Sequence, residues 1–271
     1  MNCIVYVRNW LWTAPLVSFA LCAVACPLSR GEENSTEAQP PQKLRVVVMG
    51  AHPDDPEAGA GGLIAALTDA GHEVIIGYLC VFREGRKCFD RPEAEVRREE
   101  ADAACKILGA TPKFFPFSAG RLIPDTATVQ LIATWLSEVK PDIVMTHWPC
   151  DTHPDHHAIS SIVWQCYRHR HEDGGTEHGP WNLYYFEVVN GIQTLNYKPE
   201  LYFDVGAFRD RKEEACICHK SQNFPAFWRE HDRMHRERGT ECGVEYAEAY
   251  SLVEPKTGCK LLPVPFLSQR H

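Results

Sequence analysis

Leu44-Arg-Val-Val-Val-Met-Gly-Ala-His-Pro-Asp-Asp-Pro-Glu57 changes character at its midpoint. The first half is an apolar, β-branched run, the pattern of a buried strand. The second half mixes imidazole and carboxylate in a proline-bounded loop. The same change occurs again further along the chain. Asp142-Ile-Val-Met-Thr-His147 reads as a strand, and it runs into Trp148-Pro-Cys-Asp151-Thr-His153-Pro-Asp155-His156-His157.

Around these two stretches, short apolar runs alternate with amphipathic ones. Gly62 to Ala70 reads as a helix ending at Gly71, and Glu73 to Leu79 as the second strand. Glu93 to Leu108 is a helix with Ala101, Ala104 and Leu108 on one stripe, and Phe114 to Phe117 is a short third strand. Val129, Ile132, Leu136 and Val139 mark a further helix with Asp125 as its N-cap. The strand at Asp142 is the fourth, Leu183 to Val188 the fifth and Leu201 to Val205 the sixth. Two helical stretches close the chain, from Phe208 to about Ser221 and from Pro225 to about Arg238. This alternation predicts an α/β fold, a three-layer Rossmann-like domain on a mainly parallel sheet. In the common winding, order 3-2-1-4-5, strands one and four are neighbours and flank the crevice where ligands bind. Both loops then open at the carboxyl edge of the sheet, side by side.

Composition narrows the class. Twenty-eight basic against thirty-six acidic residues give a net charge of −8 over 271 residues. Nucleic acid is therefore not an expected partner, because its binding rests on Lys and Arg neutralising phosphates. Arg8 is the only charge before Arg30, and an apolar stretch ending Ala23-Val-Ala25 lies between them. Residues 1–25 read as an export signal, so the protein is expected to be periplasmic or secreted. Retention of that segment as a membrane tether, by a helix or by lipid on Cys26, is the alternative. Residues 26–42 are a polar linker and 43–271 a single catalytic domain. Twelve cysteines suggest a disulfide scaffold at first sight. Nine remain beyond residue 26, with no CxxC pair among them, so most are expected to be free or buried thiols.

Two His and one Asp drawn from the two loops can make a three-ligand mononuclear metal site with an open position. The two adjacent carboxylates cannot comfortably share one ion from a short turn, so one is left to act as base. Arg97, on the same inward stripe as Ala101, Ala104 and Leu108, points toward that edge of the sheet, while Arg98 reads as surface. His231 and His235 stand four apart on a helix, with Asp232 where a metalloprotease carries Glu. Their Arg- and Glu-rich surroundings favour a solvated helix or a pocket wall. His219 is a further pocket candidate.

A strand followed by AHPDDPE, with HPDH after a later strand, resembles the LmbE/PIG-L family of zinc-dependent N-acetyl-sugar deacetylases. The resemblance covers about residues 43 to 222. It implies an LmbE-like fold, with His52, Asp55 and His156 as metal ligands for Zn²⁺, Fe²⁺ or another divalent ion being the alternative. It implies Asp54 as general base, His153 as the histidine that stabilises the oxyanion, and Asp155 as the carboxylate that orients His153. Glu57 supports the loop, and Arg97 of the Arg97-Arg-Glu-Glu100 segment binds substrate. The implied reaction is hydrolysis of the acetamide of an N-acetylated sugar or glycoconjugate to acetate and a free amine. Two departures stand out. Ser118-Ala-Gly-Arg121 replaces the family's sugar-binding Asp-Gly, and Asp151 stands where some members carry tyrosine. Two other readings compete: a 2-His-1-carboxylate iron enzyme, and a carbohydrate-binding protein that kept the fold without the chemistry.

Overall fold

The computed structural model describes residues 43–169, 181–189, 191–253, 261–264 and 267–268. The expected export segment, the linker and Cys259 lie outside the described residues. Among the described residues no helix is long and apolar enough to cross a membrane.

The chain runs β1 (Arg45–Gly50), α1 (Asp55–Asp69), β2 (Glu73–Phe82), β3 (Lys87–Cys88), β4 (Arg91–Pro92), α2 (Glu93–Leu108), β5 (Thr111–Ser118) and α3 (Thr126–Val139). It continues through β6 (Ile143–His147), α4 (Pro154–His169), β7 (Asn182–Phe186), β8 (Leu201–Asp204), α5 (Arg209–Cys216), α6 (Phe224–Cys242), β9 (Ala247–Leu252) and β10 (Leu267–Ser268). Eight strands form one sheet in the order β10-β8-β9-β7-β6-β1-β2-β5, and β3 and β4 make a separate hairpin. The run from β5 to β7 is parallel, with Val46 opposite Val74 on one side and Ile143 on the other. This is the expected winding, and β1 and β6 are neighbours.

Side-chain alternation divides the core in two. Val46 and Val48 join a cluster with residues of α1, α2 and α5. Val47 and Met49 join a second cluster with residues of α3 and α4 on the opposite face. The three layers follow from this alternation, because a strand with helices on both sides carries apolar residues at odd and even positions. Asp125 caps α3, its Oδ1 accepting from the Thr128 amide at 2.8 Å.

Three expectations need correction. The first helix starts at Asp55, not Gly62. Pro56 is preorganised for a first helical turn, and Gly59 and Gly62 are close-packing positions inside the helix. A Cβ on Gly59 would stand 2.3 Å from the Phe186 ring, and one on Gly62 would stand 2.4 Å from Val205. Second, the loop after β6 ends at His153, and His156 belongs to the first turns of α4. Third, β9 follows α6 and inserts between β7 and β8, antiparallel to both. Eight cysteines are free thiols among the described residues.

One buried ion pair braces the first helix. Lys212 and Glu248 are both fully buried and meet at 2.6 Å. Lys212 Nζ also donates to the Ala58 carbonyl, and Glu248 accepts from the amides of Gly62 and Leu63. Lys212→Ala leaves a buried carboxylate without its cation. We expect it to lower the unfolding free energy by about 3–5 kcal/mol, read as a fall in the urea midpoint.

Candidate metal centre and active site

β1 and β6 deliver their loops to one crevice, and the Asp55 carboxylate is where they meet. Asp55 Oδ2 accepts the His52 amide at 2.8 Å and lies 3.2 Å from His52 Nδ1. The same oxygen lies 3.2 Å from His156 Nε2 and 3.4 Å from His147 Nε2. The three expected ligands, His52, Asp55 and His156, are therefore brought together. Their donor spacing matches two ligands on one zinc ion, which at ~2.0–2.1 Å and a tetrahedral angle stand ~3.3 Å apart.

Outer partners aim each imidazole. His52 Nε2 meets Asp155 Oδ2 at 2.9 Å, which frees Nδ1 toward Asp55. His156 Nδ1 meets Asp151 Oδ1 at 3.1 Å, which leaves Nε2 facing Asp55. That Nε2 is buried and has no hydrogen-bond partner. An orphaned imidazole nitrogen beside a carboxylate oxygen is the donor set a divalent cation fits.

The neighbouring histidines are engaged otherwise. His147 Nε2 accepts the Ala51 amide at 3.0 Å, so its lone pair is taken. His153 Nδ1 accepts the Asp155 amide at 3.2 Å, so its neutral form carries the proton on Nε2. His153 also lies close enough to His52 and His156 for a shared ion, as do Asp55, His147 and His156 in a second grouping. His52 Nδ1 and His156 Nε2 each stand 3.2 Å from Asp55 Oδ2, which keeps the expected three as a candidate ligand set beside these two groupings.

The role expected of Asp155 is corrected. Its carboxylate holds His52, and it accepts the amides of Gly120 at 2.6 Å and Leu122 at 3.3 Å. Only its backbone reaches His153. The residue missed from sequence is Asp151. It is buried, holds His156, accepts the His153 amide at 2.8 Å and takes a hydrogen bond from Thr194 Oγ1 at 3.1 Å. It had registered only as a missing tyrosine.

Asp54 caps α1 with φ 122°, a conformation costly for a residue with a Cβ. Both carboxylates border the cavity, Asp54 beside Arg97 and Asp55 against the imidazoles of His52, His147 and His156. Burial, then the Asp55 charge, pushes Asp54 up to about 6, against the opposing charge of Arg97. Asp55 is held well below the usual carboxylate range: burial opposes this, but the charges of His156 and His147 prevail. His156 is raised to about 10 despite burial, by Asp55 and Asp151. His147 falls to about 4 through burial and the His156 charge. Burial and the charges of His52 and His156 lower His153.

Arg97 is buried where its stripe predicted. Its Nη2 donates to the Pro53 carbonyl at 3.0 Å and lies 3.9 Å from Asp54 Oδ1. Arg98 is exposed, over the Phe114 ring. Glu57 lies beneath the loop, accepting the Tyr78 hydroxyl, with His219 Nε2 3.2 Å away. His219 is thus a buried support, outside the residues that line the cavity. His231 forms part of the cavity wall, and His235 meets Lys212 Nζ at 2.8 Å. Both are buried, so the solvated-helix reading fails for this face of α6. The cavity, about 480 Å³, is lined by His52, Asp54, Asp55, Arg97 and His153 at its base.

Residues 47–167 match the family model described as PIG-L: GlcNAc-PI de-N-acetylase. Those residues form a PIG-L/LmbE family domain. It is 27% identical to a 4-oxalmesaconate hydratase of Pseudomonas putida over 87% of this chain and 98% of that one. It is 28% identical to a "Probable N-acetyl-alpha-D-glucosaminyl L-malate deacetylase 2" of Bacillus cereus over 65% of this chain and 83% of that one. The N,N'-diacetylchitobiose deacetylase of Pyrococcus horikoshii shares the fold, with a TM-score of 0.68 at 20% identity over 77% of this chain and 83% of that one.

If Asp151 fixes His156, Asp151→Asn should weaken the binding of a divalent metal about 10–100-fold, read by competition with a chromophoric chelator. Because His156 holds its proton up to about 10, and His52 is raised despite burial by Asp155 and Asp55, a metal ion bound there would have to displace at least one proton. Apparent affinity should then rise about tenfold per pH unit between pH 6 and 8. A flat profile would show that His156 is already neutral without metal.

Proposed function

We propose that this protein is a zinc-dependent deacetylase that hydrolyses the acetamide of an N-acetylated sugar or glycoconjugate. The observation that carries the reading is the division of labour between two adjacent carboxylates. Asp55 faces the two aimed imidazoles, and Asp54 faces the cavity with an elevated pKa. The family domain supports it, as do the deacetylase relatives by name.

His52, Asp55 and His156 would hold the metal, which when bound would supply Lewis acidity and lower the pKa of water to ~7. Asp54 takes the proton of the attacking water, and its raised pKa suits a base that works near neutrality. His153 donates from Nε2 to the oxygen that gains charge as the carbonyl becomes tetrahedral. Asp54 then returns its proton to the leaving nitrogen, and acetate and the amine depart. Arg97 fixes the Pro53 carbonyl and so the angle at which Asp54 is presented.

One relative favours a second reading. The similarity to a hydratase runs nearly the length of both chains, and the same water-activating set can serve addition to a conjugated carbon. Acetate release from N-acetylglucosamine compounds, measured beside water addition to 4-oxalmesaconate with and without a chelator, separates the two. We expect acetate release, abolished by chelation. Asp54→Ala should keep its metal yet lose about 10²–10⁴ in kcat, whereas His52→Ala should lose both. Activity should fall as pH drops and Asp54 is protonated, the limb lying at or below about 6 because a bound cation favours the carboxylate. We further infer that residues 1–25 direct export. The intact mass of chain recovered from a secreting host tests this, a start at residue 26 being expected.

A further inference from the structure

The cavity lining is of two unlike kinds. Arg83, Arg97 and Gly120 line it from the segments at the end of β2, on α2 and after β5. Val188, Ile192, Phe224 and Phe227 line it from the segment after β7 and from α6, and these four are its apolar wall. Ile192 and Phe227 are 57% and 54% exposed, although each lines the cavity that contains Asp54. Large apolar groups left in water beside a catalytic cavity gain free energy when a ligand covers them.

Both residues are held on firm mounts. Ile192 sits in a turn whose amides at Gln193 and Thr194 donate to the Val189 carbonyl. Thr194 in turn donates to Asp151, which holds His156, and its hydroxyl accepts the Val188 amide at 3.0 Å. Phe227 lies in the first turn of α6, after Phe224, whose ring stacks on His231 at 4.7 Å. The turn that carries Val188 and Ile192 is thereby tied to His156 by three successive contacts. A cavity of about 480 Å³ also exceeds what an acetamide needs, and lies in the ~300–1,000 Å³ range of sites for drug-sized ligands.

We propose that Ile192 and Phe227, over Val188 and Phe224, form a subsite for an apolar aglycone, an alkyl or aryl group joined to the N-acetylated sugar. This deepens the deacetylase reading and rests on it for the identity of the sugar. The acetamide lies at the base against His52, Asp54 and His153, the sugar lies across the Arg83 side, and the aglycone covers the exposed wall. Glu230, also at this wall, disfavours an anionic aglycone.

The probes are N-acetylglucosamine and its butyl and hexyl glycosides, all below micelle formation, with the full chain loaded with zinc. Calorimetric affinity and acetate release are both measured, in the wild type and in Phe227→Ser and Ile192→Ser. Each methylene covered is worth roughly a fourfold gain in affinity, so the hexyl glycoside should bind at least about tenfold tighter than the free sugar. Either variant should cut that ratio to about threefold or less. Equal affinity for all three compounds in the wild type overturns the subsite. So does an equal loss on free sugar and glycosides in the variants, which would place the sugar ring against Phe227. Tighter hexyl binding that depends on Phe227 and Ile192, without acetate release, keeps the subsite and removes the deacetylase reading instead.

Discussion

A single buried oxygen, Asp55 Oδ2, sets the terms for the rest of the site. It faces one backbone amide and three imidazole nitrogens within 3.4 Å. A carboxylate taken out of water in this way must be compensated, and isolated it would neutralise instead. Without metal, His156 supplies the positive charge, which is why burial fails to lower its pKa. A divalent cation replaces that proton with a larger charge at the same place. The fold brings the compensating groups from two segments far apart in the sequence. His52 lies at the end of β1 and His147 at the end of β6, and β1 and β6 pair in parallel register.

Two carboxylates adjacent in sequence are driven to opposite roles by backbone geometry. The left-handed φ of Asp54 costs about 1–3 kcal/mol, and the helix that begins at Asp55 buries enough apolar surface to offset it. The strain turns one side chain toward Arg97 and its neighbour toward the imidazoles. Burial and mutual repulsion then separate their affinities for a proton. An enzyme that must bind a cation and accept a proton within one turn needs this separation, since equal pKa values would leave the base spent on the ion.

The sheet order was legible because short apolar runs alternated with amphipathic ones and a common winding already placed strands one and four together. α2 and α3 were legible to within a residue, through the 101-104-108 stripe and the Asp125 cap. α4 was not read, although Ile159, Ile162, Val163, Cys166 and Tyr167 recur at helical spacing and are buried. The chemistry of its first turn drew the eye to a loop. β9 was hidden because Ala247-Glu-Ala-Tyr-Ser-Leu252 is mostly small or polar, and its buried Glu248 makes sense only opposite Lys212. The resemblance pointed to His52, Asp55 and His156, which the fold gathers around Asp55 Oδ2. Their outer partners were not, because Asp155 and His52 are 103 residues apart. Which carboxylate serves which histidine is decided by tertiary packing, and local spacing suggested His153 wrongly. Asp151 left a readable trace, a carboxylate shortly before His156 at the entry to a helix, but it was weighed only against a tyrosine.

Rigidity is supplied from beneath. Lys212 and Glu248 act on α1 at Ala58, Gly62 and Leu63, one turn behind the ligand loop. Glu57, Tyr78 and His219 fill the space directly under it. Arg97 grips the Pro53 carbonyl from the side. None of these groups needs to touch a substrate. Their effect is to leave His52, Asp54 and Asp55 little freedom of position, and a base misplaced by about an ångström costs on the order of a hundredfold in rate. A buried ion pair so near the site adds little net stability compared with an apolar pair of the same shape. Its position behind the one helix that carries both carboxylates indicates that what it secures is geometry.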